Sequence, residues 1–444
     1  MFVEMNRRTF IKKAGITGAG LGVSTMFTNR AFGKAVPSEQ VIMAVAGMRG
    51  RGRKLVRWFA ENEHCHVKYV IDVDSRFITR GLKEAEGKQQ RPPETIKDFR
   101  RALDDKDVDA IAIATPDHWH APMAIEALKA GKHIYVEKPC SHNPAEGELL
   151  VKAQNKYSGL IVQMGNQRRS RESCYEMLNL IKTGIIGRVY CAKTWYTKAR
   201  GPIGFAKDIA VPDTLDWDLW QGPAPRRPYN SLIHPYEWHW FWHWGTGEAG
   251  NNGTHEIDVA RWMLGVDYPT KAVSGGGRLH YNDDWEAFDT QWVTLEFPGD
   301  KALVWEGRSC NPVTQYDDSR GIMLYGTKGA IANNGRYYKV YDDKGEAVGK
   351  DDIKSKIDFD ADSSGIALGG NHQSNFISAI RGKGKTSSPI DEGHKSVLLC
   401  QLGNIAQRTG DTLHCDPTNG HILNNPEAQK LWSRSYEPGW EPKI

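Results

Sequence analysis

The stretch that most narrows what this chain can become is Gly47-Met48-Arg49-Gly50-Arg51-Gly52, set between an apolar run at 40–46 and a helix-forming segment from Lys54. A glycine turn between a strand and a helix lets backbone N–H groups approach a pyrophosphate, whose charge the helix N-terminus favours. The spacing departs from the usual one. Arg49 stands at the middle glycine place, so Gly50 is expected to supply the close approach. Gly47, Arg49, Gly50, Arg51 and Gly52 are the turn's candidate cofactor contacts. Val67–Ile71 reads as a second strand and ends in Asp72, twenty residues beyond Gly52, where a carboxylate accepts hydrogen bonds from a dinucleotide's ribose. An acid there repels a 2′-phosphate and argues for NAD. Arg76 is placed to neutralise such a phosphate and keeps NADP open. The plainer reading of Asp72 is a cap for the next helix.

Further along, 110–114 and 133–136 are short buried strands, separated by a helix expected over 121–130, and 160–164 reads as a last strand of the same kind. Strands alternating with helices predict a doubly wound parallel sheet over 39–165 with ligands at the strand C-terminal ends. From 166 to 444 the pattern changes. Segments 271–281, 289–297, 301–308 and 321–331 alternate apolar and polar residues, which predicts an α+β domain with a large, mostly antiparallel, open-faced sheet. Helices are expected at 257–264 and 394–407, and an irregular tail beyond Asp411 that wraps a neighbouring subunit.

Thr115-Pro116 followed by His120, and Glu137-Lys138-Pro139 at a strand end, resemble the Gfo/Idh/MocA oxidoreductase family, which includes glucose–fructose oxidoreductases and inositol dehydrogenases. The resemblance covers nearly all of the chain after its N-terminal segment. It implies that Thr115, Pro116, His120 and Glu137 line the cofactor site, and that Lys138 sits beside the nicotinamide and the substrate hydroxyl. In the turn Gly165-Asn166-Gln167-Arg168-Arg169 it places Gln167 near the cofactor carboxamide and Arg168 toward the substrate. His255 matches a substrate-facing histidine. Asn251 stands where relatives have an aspartate, and it cannot ionise. The resemblance also implies a homo-oligomer, dimer or tetramer, held by the open sheet face.

The run Glu237-Trp238-His239-Trp240-Phe241-Trp242-His243-Trp244 offers rings for the C–H face of a sugar and imidazoles for its hydroxyls. Trp238, His239 and His243 are the candidate substrate contacts. A packed aromatic plug is the competing reading. Zinc held by His239 and His243 is disfavoured, because no thiol or acid stands at a recognised spacing. With 39% hydrophobic and 25% charged residues and a net charge of +4, the composition is that of a globular protein with no nucleic-acid footprint. The seven cysteines form no CxxC pair and are expected as buried thiols.

Residues 6–13, Asn-Arg-Arg-Thr-Phe-Ile-Lys-Lys, precede an uncharged stretch shorter than the roughly 18 residues needed to span a bilayer. This resembles a twin-arginine signal peptide over 1–35, cleaved near Gly33-Lys34-Ala35. It implies export to the periplasm by the twin-arginine machinery, already folded and with a tightly held cofactor. The expected function is hydride transfer between a sugar or polyol hydroxyl carbon and that cofactor. An NAD-dependent glycosidase of the family 109 type is the alternative. A sensor without turnover is disfavoured by the presence of both Lys138 and His255.

Overall fold

The apolar run ahead of the glycines forms β1 (Val41–Ala46), buried along nearly its whole length because helices cover both faces of its sheet. This computed structural model describes residues 40–334, 337–349 and 372–444, so the twin-arginine segment and its cleavage site lie outside the described residues. Strands β2 (Cys65–Ile71), β3 (Glu94–Ile96), β4 (Ala110–Ile113), β5 (His133–Val136) and β6 (Val162–Met164) join β1 in a parallel sheet of order β3-β2-β1-β4-β5-β6. The order reverses between β1 and β4. The crevice outside their C-terminal ends is where a doubly wound sheet holds its ligand.

The helix expected from 121 starts earlier, spanning Asp117–Lys129 with Pro116 at its cap and an acid in its first turn. It contains Pro122, which has no N–H for the His118 carbonyl one turn back. Arg434 takes up that carbonyl instead, Nη2 donating at 2.7 Å. The tail is therefore tied to its own chain. Arg434 and Tyr436 also donate to the buried Glu146, and Trp440 meets the Trp119 ring edge-on at 5.4 Å.

The second sheet contains β7 (Val189–Thr197), β8 (Lys271–Gly277), β9 (Thr290–Phe297), β10 (Lys301–Arg308), β11 (Arg320–Gly326), β12 (Gly329–Asn333), β13 (Tyr338–Tyr341), β14 (Leu413–Cys415) and β15 (Ile422–Leu423). Their order is β13-β12-β11-β7-β10-β9-β8-β14-β15, antiparallel except where β7 meets β10. Segment 321–331, expected as one strand, turns at Thr327-Lys328 into the β11–β12 hairpin, because the pair Gly326–Gly329 admits a two-residue turn. Val293, Leu295, Leu303 and Trp305 project into a core with helices Thr254–Leu264 and Ile390–Thr409. On the opposite face Val273 and Trp292 stand exposed. All seven cysteines are free thiols, five of them buried.

Candidate active site

The site begins at the glycine turn. Gly47 has φ +89°, and a Cβ there would lie 2.4 Å from the Ala114 carbonyl oxygen. A Cβ on Gly52 would lie 1.8 Å from the Gly47 oxygen. These two glycines serve the turn and its packing onto β4. Gly50 has nothing within 4 Å of its virtual Cβ and faces open space, as a residue meant for close ligand approach must. Arg49 reaches across the cleft with its guanidinium 4.4 Å from the Tyr236 ring centre, and Arg51 lies 3.5 Å from the Glu137 carboxylate.

Asp72 closes β2 in the cleft. Its carboxylate accepts from Met48 N at 2.6 Å and Asp74 N at 2.8 Å, so it braces the glycine turn from the neighbouring strand. Burial pushes its carboxyl up to about 6, against the pull of those backbone donors. The cap of the following helix is Asp74, which accepts from Arg76 N, so the plainer reading of Asp72 gives way. Arg76 forks onto the same Asp74 at 3.0 Å and lies outside the cleft lining. Its charge is already matched by Asp74.

At the other end of the crevice, Thr115, Pro116 and Asp117 leave β4 while Glu137 and Lys138 leave β5. His120 staples the two: Nδ1 is 2.6 Å from the Pro139 carbonyl and Nε2 is 2.8 Å from that of Thr115. Lys138 Nζ donates to the Asn251 backbone oxygen at 2.6 Å and to its Oδ1 at 3.3 Å. Burial lowers the Lys138 pKa, with Glu137 and Asp117 pulling the other way. His255 is held neutral, first by burial and then by the charge of Lys138. It does not line the cleft.

The structure seats several expected contacts elsewhere. Arg168 is buried in an ion pair with Glu256 at 2.6 Å, which Arg320 shares, so it fastens helix Thr254–Leu264 instead of facing the cleft. Gln167 donates to Glu137 at 2.9 Å and orients that acid from behind. His243 donates Nε2–H to the Pro225 carbonyl at 2.8 Å, away from the cleft, and burial lowers its pKa to about 4. His239 turns its Nδ1 to the Tyr236 carbonyl at 2.6 Å, so the two imidazoles serve separate carbonyls. No three-residue cluster of His, Cys, Asp or Glu among the described residues could hold a metal ion.

The aromatic run divides between its two readings. Trp240 stacks on Trp285 at 4.1 Å and Trp244 packs among Trp217 and Trp220, forming a plug. Trp238 and His239, stacked at 3.6 Å, line the cleft. Sequence reasoning missed Asp117, Trp119, Trp220 and His234, which also line it. Only Asp117, beside the Thr-Pro pair, carried a local signal. The others lie in a helix or in irregular stretches without periodicity.

The comparisons agree with the two-part fold. Residues 13–166 match a model described as "Oxidoreductase family, NAD-binding Rossmann fold", and residues 192–442 match "Oxidoreductase family, C-terminal alpha/beta domain". A glycosyl hydrolase family 109 protein of Shewanella sp. (strain ANA-3) is 28% identical over 213 residues, 44% of this chain and 46% of that protein. An alpha-N-acetylgalactosaminidase of Shewanella oneidensis is 27% identical over the same length. The aligned part spans about half the length of these curated relatives. Among solved structures, the WlbA dehydrogenase of Bordetella pertussis, in complex with NADH and UDP-GlcNAcA, superposes with a TM-score of 0.64 at 18% identity, covering 86% of this chain and 99% of that one. A levoglucosan dehydrogenase with NADH and levoglucosan gives 0.61 at 18%, covering 84% and 99%. At such identities these two likenesses establish the fold.

Proposed function

The chain belongs to the Gfo/Idh/MocA oxidoreductase family, and on that premise we propose that it oxidises or reduces a hydroxyl-bearing carbon of a sugar or polyol, with NAD as hydride partner. The observation that carries this reading is Lys138, half-buried on the cleft floor and hydrogen-bonded across to the second domain at Asn251. The residues present fit the dinucleotide. Gly50 is bare where a phosphate must come close, and Asp72 presents a carboxylate at the ribose position. NAD supplies the hydride chemistry.

The protein's own groups do the rest. Removing hydride from a carbinol carbon requires its hydroxyl proton to leave, and a lysine whose ammonium is destabilised by burial can take that proton at a pH below the ordinary lysine range. Asn251 holds the amine in place through its backbone oxygen, and His255, which feels the charge of Lys138, is a second proton site. Trp238 stacked on His239 gives an apolar wall against which a pyranose C–H face can lie. The sugars bound by two structural neighbours, UDP-GlcNAcA and levoglucosan, support this substrate class.

The family 109 relatives support a second reading, glycoside cleavage through transient oxidation. One experiment separates the two. The NAD-loaded protein is offered sugars and aryl glycosides while reduced nicotinamide absorbance and aglycone are both followed. Net reduction without bond cleavage is the expected outcome, aglycone release without net reduction selects the glycosidase, and neither response to any carbohydrate would sink the proposal. We further propose export by the twin-arginine route to the periplasm, supported by Arg7-Arg8 and the uncharged stretch after them. Fractionation of cells with and without Arg7→Lys plus Arg8→Lys tests it. A homo-oligomer closed over the exposed Val273 and Trp292 is supported by their apolar character on an open sheet face, and the molar mass in solution from light scattering checks it.

A further inference from the structure

The cofactor cleft has walls from both domains, and at the β2 end its second wall is not an open edge. Leu219, Trp220, His234, Pro235 and Tyr236 line it opposite Asp72, Val73 and Phe77. The segment carrying them is fastened to the first domain at four places. Beside β2, Ser75 N donates to Thr214 O at 3.0 Å and Asp216 N donates to Val73 O at 3.0 Å. On helix Asp117–Lys129, Trp119 Nε1 donates to Trp220 O at 2.9 Å, and Gly222 leaves room for the Trp119 ring, which a Cβ would meet at 1.9 Å. At the glycine turn, Arg49 lies over Tyr236.

The innermost fastening is a buried pair. His234 Nε2–H donates to the Asp74 carboxylate at 2.9 Å, and Asp74 N is itself bonded to Asp72, two residues back. His234 is 9% exposed, lines the cleft, and its Nδ1 has no partner in the protein. With Nε2 protonated, that Nδ1 is a hydrogen-bond acceptor.

We propose that residues 214–239 are the second half of the cofactor site, closing over the adenosine end of the dinucleotide with His234 Nδ1 accepting from it, so that the cofactor is kept as a resident group, reduced by the carbinol carbon of one sugar and reoxidised in place by hydride transfer to the carbonyl carbon of a second. This rests on reading the cleft as an NAD site. A ligand that must break the Arg49–Tyr236 contact and the wall behind it leaves only when the segment opens, and opening against several packed rings and a buried hydrogen-bonded pair is slow.

The test loads the full-length protein with NADH and follows loss of its bound fluorescence after a chase with excess NAD. The wild type is expected to keep NADH through gel filtration, while His234→Ala and, separately, Arg49→Ala release it at least ~10-fold faster, about 1.4 kcal/mol less retention. Arg49 is a surface residue, so its variant keeps the fold even should His234→Ala not. Wild-type release within seconds, or both variants releasing at the wild-type rate, overturns the closing role while leaving the NAD site intact. Absence of any NADH binding by the wild type overturns that underlying reading too.

Discussion

An ammonium in a walled cleft holds its proton less firmly than one in water, because burial removes the solvent that stabilises its charge. Lys138 is in that position, and its neighbours set how far the effect goes. Asn251 contributes a dipole where an aspartate would contribute a full charge. Lys138→Ala is expected to lower turnover by roughly 10²–10⁴-fold, the range of a positioned acid–base group, with NADH binding retained. For wild-type oxidation, kcat/KM should rise with pH and level off below the ordinary lysine range, since the neutral amine is the active form. Asn251→Asp adds a negative charge within reach of Nζ, favours the ammonium, and should move that rise to higher pH. An unmoved profile would remove Lys138 as the titrating group. Arg169 acts on stability instead. It chelates the buried Asp258 at 2.9–3.0 Å through Nε and Nη2, so Arg169→Ala strands a carboxylate and should cost about 3–5 kcal/mol, read as a lower midpoint in urea.

At the scale of elements, the glycine turn shows that glycines a few residues apart do different work. A Cβ at Gly52 collides with backbone that cannot move without breaking the β1–helix junction. Gly52→Ala is therefore expected to lose NADH binding and about 1–3 kcal/mol of stability together. A Cβ at Gly50 meets nothing in the protein, so Gly50→Ala should melt like the wild type yet bind NADH more weakly. Calorimetry beside a fluorescence titration separates the two, and a Gly50→Ala variant that binds normally would place the close approach elsewhere. The Trp/His run makes the same point about a loop. Its alternate rings divide between a packed plug and a cleft wall, because the segment lies between two cores and serves both.

At the scale of the molecule, charged groups tie the closing helices to the substrate domain. Burial would raise the Glu392 carboxyl, but Arg261 and Arg169 overcome it and hold the group down at about 2. A carboxylate depressed in the folded state contributes stability above its ordinary value near 4.5 and loses it as pH falls toward the folded value. Thermal midpoints should therefore fall between about pH 4.5 and 2, and Glu392→Gln should flatten that slope. An equal slope in the variant would assign the acid sensitivity to other carboxylates.

What this chain's sequence determined alone is whatever depends on neighbours along the chain: the glycine turn, the acid closing β2, the lysine ending β5, and the alternation that makes the second sheet open-faced. Backbone sterics and burial periodicity act over a few residues and leave their mark locally. The tertiary structure decided which charges are already matched. Arg76 is taken by Asp74, Arg168 by Glu256, and His243 by a carbonyl, pairings that no spacing announces because the partners lie 2 to 88 residues apart. It also decided that an aperiodic stretch at 214–239 becomes a wall of the cofactor cleft, since a loop held by single hydrogen bonds to distant backbone carries no repeating pattern to read.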